Sequence, residues 1–143
     1  MYNYNYLNND WYRNTNNSMY QNNENSSLFP PEEAYNKGNL FASLYQQYKN
    51  YQPVTLKENN EQEKLFLEFS RMAFAAHELN LYLDNFPNDT SMIQLFVDYQ
   101  ERANSLLKQY EKLYGPITLS GSINTKTPFA WEYGQWPWEG GIK

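Results

Sequence analysis

The chain has 143 residues, a net charge of −5, 18% aromatic residues, only 19% charged residues and no cysteine. This length suits one domain, and the lack of cysteine excludes disulfides, thiolate nucleophiles and thiolate metal sites. No cluster of Lys and Arg offers the positive surface that nucleic acids require, and no apolar run is long enough to cross a bilayer.

Residues 1–27 form the first segment, which is rich in Tyr and Asn. It contains ten Asn, five Tyr and three charged residues, and its apolar residues follow neither a helical nor an alternating period. Asn prefers turns to regular structure, and such tracts are disordered alone but prone to self-association. The sequence therefore predicts a disordered arm, which is either a passive solvated tail or a self-associating arm with oxidatively cross-linkable phenols.

Residues 28–53 form a second segment, for which short helical turns are predicted. Pro31 suits the first position of a short helix, and Lys37 followed by Gly38 indicates its end. A second turn should follow and present apolar side chains that are too numerous for a solvated linker. We expect them to dock within the chain or on a partner: Leu40, Phe41, Leu44, Tyr45 and Tyr48.

Residues 54–143 contain two long amphipathic helices between positions 61 and 114. Their apolar residues recur at alternating spacings of four and three, which places them on one face of each helix. We call this face the seam. The seam of the first helix comprises Leu65, Phe69, Met72, Ala76, Leu79 and Leu83, and that of the second comprises Met92, Phe96, Tyr99, Ala103, Leu106, Tyr110 and Leu113.

The connection between the two helices determines their relative direction. Pro87 interrupts helical geometry, and Asn88, Asp89 or Thr90 can cap the second helix with a side-chain oxygen. Gly115, followed by Pro116, ends that helix. Because so short a connection forces the helices antiparallel, the sequence predicts an all-α fold built on an antiparallel helical hairpin.

A second apolar stripe runs along the first helix, opposite its seam. It consists of Leu67, Phe74 and Leu81, whereas the corresponding positions of the second helix are polar. A helix that is apolar on two sides is packed between two surfaces. We expect residues 28–53 to cover this stripe; the two alternatives are the tail around Trp131, Trp136 and Trp138 and a partner protein.

The pattern of residues 115–143 predicts an extended tail, because Pro and Gly recur there and the apolar residues follow no sustained period. Aromatic residues are concentrated within ten positions of this tail, and each removes about 150–250 Å² from water when buried. We expect this cluster to bind a partner: Phe129, Trp131, Tyr133, Trp136 and Trp138.

His77 is the only histidine of the chain and lies beside Glu78 on the polar flank of the first helix. Phe74 stands where a helical Glu-x-x-His metal motif requires Glu, and no glycine-framed serine or glycine-rich phosphate loop is present. We therefore expect no enzyme activity and no cofactor. Two alternatives remain open: a small helical metal-binding protein or enzyme that uses His77 with Glu78 and Asp84, and a generic helical adaptor.

Residues 62–139 resemble the spore coat CotJB family. The resemblance rests on the stretch from Phe74 to Asp84, on Pro87-Asn88-Asp89, on the stretch from Tyr110 to Pro116, and on Trp136-Pro137-Trp138-Glu139. A shorter stretch, Phe29 to Tyr51, resembles the end of the CotJA coat protein family, but the proline-rich front of that family is replaced by the Tyr/Asn tract.

These resemblances imply a structural component of the endospore coat that is made in the mother-cell cytoplasm. The two families are encoded alongside CotJC, a manganese-catalase-like coat protein, and are thought to assemble with it. The resemblance implies that this chain fuses the two partners, and that any metal belongs to CotJC. Other coat proteins and further copies of this chain are the remaining expected partners.

Overall fold

A computed structural model of the chain describes residues 27–119 and 127–130. In these ranges the chain forms three α-helices and one 3-10 turn, and it contains no β-strand. The helices are α1 (Pro31–Lys37), α2 (Glu61–Asn85) and α3 (Thr90–Tyr114). This confirms the helical class and the hairpin, whereas the predicted disordered arm and most of the extended tail lie outside the described residues.

The chain divides into two units, Met1–Pro53 and Val54–Lys143. In the N-terminal unit, α1 begins at Pro31 and ends at Lys37, and it is followed by Gly38, whose φ of 71° is left-handed and therefore favours glycine. The amides of Gly38 and Asn39 both donate to the Ala34 carbonyl oxygen, at 2.8 and 3.2 Å. These bonds satisfy the end of the short helix and turn the chain back.

An isolated antiparallel bridge closes the N-terminal unit around α1. It pairs Leu28 with Phe41, and the Phe29 amide donates to the Leu40 carbonyl oxygen at 2.9 Å. Leu40 is 0% exposed and Phe41 is 8% exposed, whereas Leu44 and Tyr48 remain 68% and 71% exposed. Two of the apolar side chains expected to dock are therefore buried, and two face solvent.

Side-chain caps define where the two long helices begin. Asn60 accepts a 2.8 Å hydrogen bond from the Glu63 amide at the start of α2, and the Glu63 carboxylate accepts the Asn59 amide at 2.7 Å. Asp89 is the residue that caps α3, and its carboxylate accepts the Met92 amide at 3.2 Å. Both caps satisfy backbone donors that have no partner within the helix.

The two seams pack against each other in the register that antiparallel helices require. At the open end of the hairpin, the Gln62 amide nitrogen donates to the Tyr110 hydroxyl oxygen at 3.0 Å, and the Phe66 and Tyr110 rings lie 5.5 Å apart. Burial follows the seams closely. The buried seam residues are Met72, Ala76, Leu79, Met92, Tyr99, Ala103, Leu106 and Tyr110.

Four predicted seam residues, Leu65, Phe69, Leu83 and Phe96, are only half-buried, and α3 departs further from the predicted seam at two positions. Leu113 is 55% exposed, and it follows Tyr110, which already contacts Gln62 in the first turn of α2. Leu95, which was not assigned to the seam, is buried. The buried face of α3 is therefore wider than a strict two-position seam over the turn-proximal half of the helix.

Candidate interaction surface

The predicted partner-binding cluster falls mostly outside the described residues. Trp131, Tyr133, Trp136 and Trp138 belong to the range that the structure does not describe. Phe129 is described, and it is 49% exposed. This ring therefore presents a large apolar surface immediately before the Trp-containing part of the cluster.

The second apolar stripe of α2 is covered unevenly. Leu67 and Phe74 are half-buried, while Leu81, nearest the turn, is 48% exposed. The more completely buried surface of α2 outside the seam is a different flank, which carries Arg71 and Ala75 at 7% and 0% exposure. Periodicity of apolar residues gives no signal for this flank, because Arg71 is charged and interrupts any apolar pattern there.

Arg71 is a charged residue in a buried position, and an acidic side chain lies beside it. Its Nη1 atom lies 3.4 Å from the Glu58 Oε1 atom. Glu58 precedes α2 by three residues, so this contact ties the segment before α2 to the body of the helix. Only the arginine of this pair is buried, because Glu58 is exposed, so the carboxylate keeps part of its hydration and the pair does not carry the full desolvation cost of a buried ion pair.

A small network of hydrogen bonds around Asp89 stabilises the turn between α2 and α3. One carboxylate oxygen of Asp89 accepts the Ser91 hydroxyl at 2.6 Å and the Met92 amide, and the other accepts the Tyr82 hydroxyl at 3.1 Å. Tyr82 also stacks on Phe86, with ring centroids 4.7 Å apart. The network therefore joins the last turn of α2 to the first turn of α3.

A shallow cavity of about 290 Å³ opens at this turn. Apolar rings and polar side chains share its lining, and Phe86 remains 55% exposed. The volume is at the lower limit of small-molecule pockets, which span about 300–1,000 Å³. The cavity is lined by Tyr82, Asn85, Phe86, Pro87, Asn88 and Asp89.

The network changes the acidity of both of its titratable groups. The Ser91 hydroxyl, followed by weaker bonds from the Met92 amide and the Tyr82 hydroxyl, lowers the pKa of Asp89 against a smaller opposing effect of burial. Burial and then the hydrogen bond to Asp89 raise the pKa of Tyr82. The ionised carboxylate is therefore the form of Asp89 that the folded turn stabilises.

We expect this turn to weaken in acid. A carboxyl whose folded-state pKa is lowered contributes stability above its ordinary value, which is 3.8 for Asp89, and loses it as the pH falls through the folded-state pKa. Asp89→Ala should lower the free energy of unfolding at pH 7 by about 0.5–2 kcal/mol, since it removes a helix cap. Asp89→Asn keeps a capping oxygen, so it should lose less.

Thermal unfolding at pH 6 and pH 3 provides the measurement. Asp89→Asn should show a smaller difference between the two midpoints than the parent chain does. Asp84→Asn serves as the control, because it removes an exposed carboxylate of the same turn region that is not a cap. An equal acid sensitivity of the parent and Asp89→Asn would contradict the role given to this carboxylate.

His77 lies exposed on α2. Among the described residues, no group of three or more His, Cys, Asp or Glu side chains is arranged to hold a metal ion. The described helices also include none that is long and apolar enough to traverse a bilayer.

The family of the chain is established by comparison with known sequences. A sequence model of the family described as CotJB protein matches residues 63–139, more than half of the chain. The chain belongs to the CotJB family. CotJB membership associates the protein with the spore coat, and the matched range covers the hairpin from the third residue of α2 onward and continues through the aromatic cluster.

The CotJB match begins after the segment that resembles CotJA, so the second resemblance stays a prediction. Searches of curated proteins and of solved structures returned no match for the chain. The assignment to the CotJB family therefore rests on the family model together with the motifs of the hairpin and the tail.

Proposed function

We propose that this CotJB protein is a non-enzymatic structural component of the endospore coat, and that it assembles with a manganese-catalase-like coat protein of the CotJC type. The observation that carries this proposal is the family match over residues 63–139. In this role the hairpin is a rigid support, and binding uses apolar surface rather than a catalytic centre. The chain is made in the mother cell and is then incorporated into the coat.

The aromatic cluster is the proposed contact with the catalase-like partner. Trp and Tyr are enriched among the residues that dominate binding free energies. Pro137 fixes the backbone between Trp136 and Trp138, so that ordering these two rings costs little conformational entropy. The exposure of Phe129, at 49%, supports an outward-facing start of this surface.

The segment Phe29 to Tyr51 is proposed to be a CotJA-like module joined to the CotJB hairpin. Its exposed apolar side chains, Leu44 and Tyr48, support a further contact with other coat proteins. The Tyr/Asn-rich arm adds a means of self-association. One polypeptide would then supply two components of the assembly in a fixed ratio.

The decisive experiment measures binding to the purified catalase-like protein. We expect the double variant Trp136→Ala, Trp138→Ala to bind more weakly by a factor of about 30 or more, since loss of one dominant aromatic contact costs about 2 kcal/mol or more. Circular dichroism and thermal unfolding should remain those of the parent chain, because the cluster is assigned to binding rather than to the core.

Leu113→Ala is the matched control, because it removes another exposed apolar side chain, at 55% exposure, from the family-matched range. It should bind like the parent. Unchanged binding by the double Trp variant would refute the proposed contact. A double variant that unfolds would instead assign the two rings to the core.

A further inference from the structure

In the N-terminal unit, the cationic side chain of Lys37 lies over two aromatic rings. The Lys37 Nζ atom is 3.8 Å from the centroid of the Phe29 ring and 4.9 Å from that of the Tyr45 ring. Both distances are within the range of about 6 Å over which a cation is attracted to an aromatic face. The same atom lies 2.6 Å from the Glu33 Oε1 atom.

The two rings form a corner rather than a stack. Their centroids are 5.9 Å apart, and their planes meet at 84°. Aromatic faces carry partial negative charge, so the corner and the Glu33 carboxylate together surround the ammonium group with negative potential. This combination of rings and a carboxylate is the chemistry by which proteins bind alkylammonium ligands.

The three side chains that meet at Lys37 come from three separate parts of the unit. Phe29 precedes α1, Glu33 and Lys37 lie one turn apart on α1, and Tyr45 follows the 3-10 turn at Ala42–Leu44. The ammonium group therefore contacts a residue before α1, a residue of α1 and a residue after the 3-10 turn. Two backbone hydrogen bonds lie nearby: the Phe29 amide donates to the Leu40 carbonyl oxygen at 2.9 Å, and the Ala42 amide donates to the Ser27 carbonyl oxygen at 3.0 Å. Both bonds form only when residues 27–29 lie beside residues 40–42.

We propose that Phe29, Tyr45 and Glu33 form an alkylammonium-binding site that Lys37 occupies within its own chain, and that this occupancy holds residues 27–45 closed. The Lys37 side chain is 24% exposed, and the Glu33 side chain is 45% exposed. The ion pair alone is thus partly screened by solvent. The cation's contacts with both rings are what distinguish this site from a surface ion pair.

Hydrogen exchange of the Phe29 and Ala42 amides in the full chain tests the site. In Lys37→Met, which keeps a long side chain without the charge, both amides should exchange about tenfold faster, since a cation–π site of this exposure contributes on that order. Lys37→Arg keeps the cation and should exchange like the parent. Equal exchange in the parent and in Lys37→Met would overturn the proposal.

Lys49→Met is the charge-matched control. The Lys49 Nζ atom lies over only one ring, 5.1 Å from the Tyr48 centroid, and Tyr48 is 71% exposed. Its neutralisation should leave exchange at Phe29 and Ala42 unchanged. Faster exchange in Lys49→Met, to the same extent as in Lys37→Met, would show a general effect of net charge and would overturn the proposal.

Chemical rescue separates a cation site from simple apolar packing. Lys37→Ala lacks three methylene groups and the ammonium, which n-propylammonium supplies together. Adding n-propylammonium chloride should slow the exchange of both amides toward the parent rate, whereas n-propanol and sodium chloride at equal concentration should not. Rescue by n-propanol alone, or rescue by none of the three, would overturn the assignment of an alkylammonium site.

Discussion

A Leu95→Asp substitution is expected to unfold the hairpin or to lower its free energy of unfolding by at least about 3–5 kcal/mol, the cost of leaving a charge buried without a partner. Leu95 is 9% exposed on α3, beside the seam that packs on α2. The substitution removes its apolar contacts and forces a carboxylate to be desolvated. Since a domain is stable by only about 5–15 kcal/mol, this loss threatens the whole hairpin.

Val97→Asp is the matched control for Leu95→Asp. It introduces the same residue into the same helix two positions later, where the parent side chain is 36% exposed. There the carboxylate keeps contact with water, so we expect a loss within about 1 kcal/mol, typical of surface changes. Urea unfolding followed by circular dichroism gives both values, and equal losses would show that Leu95 is not part of the core.

Leu79→Ala should lower the free energy of unfolding by about 2–5 kcal/mol, because it leaves a cavity in a close-packed seam. Leu79 is 0% exposed, whereas Leu81, two residues further along the same helix, is 48% exposed. Leu81→Ala should therefore cost far less. A loss for Leu81→Ala as large as that for Leu79→Ala would mean that the second stripe is as important to the core as the seam.

Local signals in the sequence were sufficient to predict the hairpin. The alternating spacing of apolar residues determines which face of each helix packs, and a capping residue such as Asp89 acts through its own neighbours in the chain. The turn is equally local, because Pro87 restricts the backbone within one residue of itself. These features need no knowledge of distant parts of the chain.

Features that depend on distant contacts were not predicted. Arg71 is buried although it is charged, since Glu58 lies beside it after folding. Leu113 follows the apolar period, yet it is exposed, since the start of α2 already contacts Tyr110, one turn earlier in α3. The pairing of Leu28 with Phe41 joins residues with no shared periodicity, so no pattern along the sequence indicates it.

For the candidate interaction surface, the sequence predicted which residue types take part but not the contacts between them. A cluster of Trp and Tyr is recognisable in any sequence, whereas the network of Tyr82, Ser91 and Asp89 requires two helix ends to meet. The cation site around Lys37 is a still clearer example. Its rings lie sixteen positions apart at Phe29 and Tyr45, and only the closed fold brings them together.

The closed loop of the N-terminal unit also has a mechanical consequence. The bridge between Leu28 and Phe41 brings the two ends of the loop side by side, so the chain enters and leaves the loop at nearly the same point. Tension along the backbone would load that bridge first. Its rupture would release the enclosed residues as roughly 40 Å of extended chain, at about 3.3 Å per residue. The closed loop therefore keeps residues 29–40 out of the extended length of the chain, and the Lys37 contacts add to the force needed to open it.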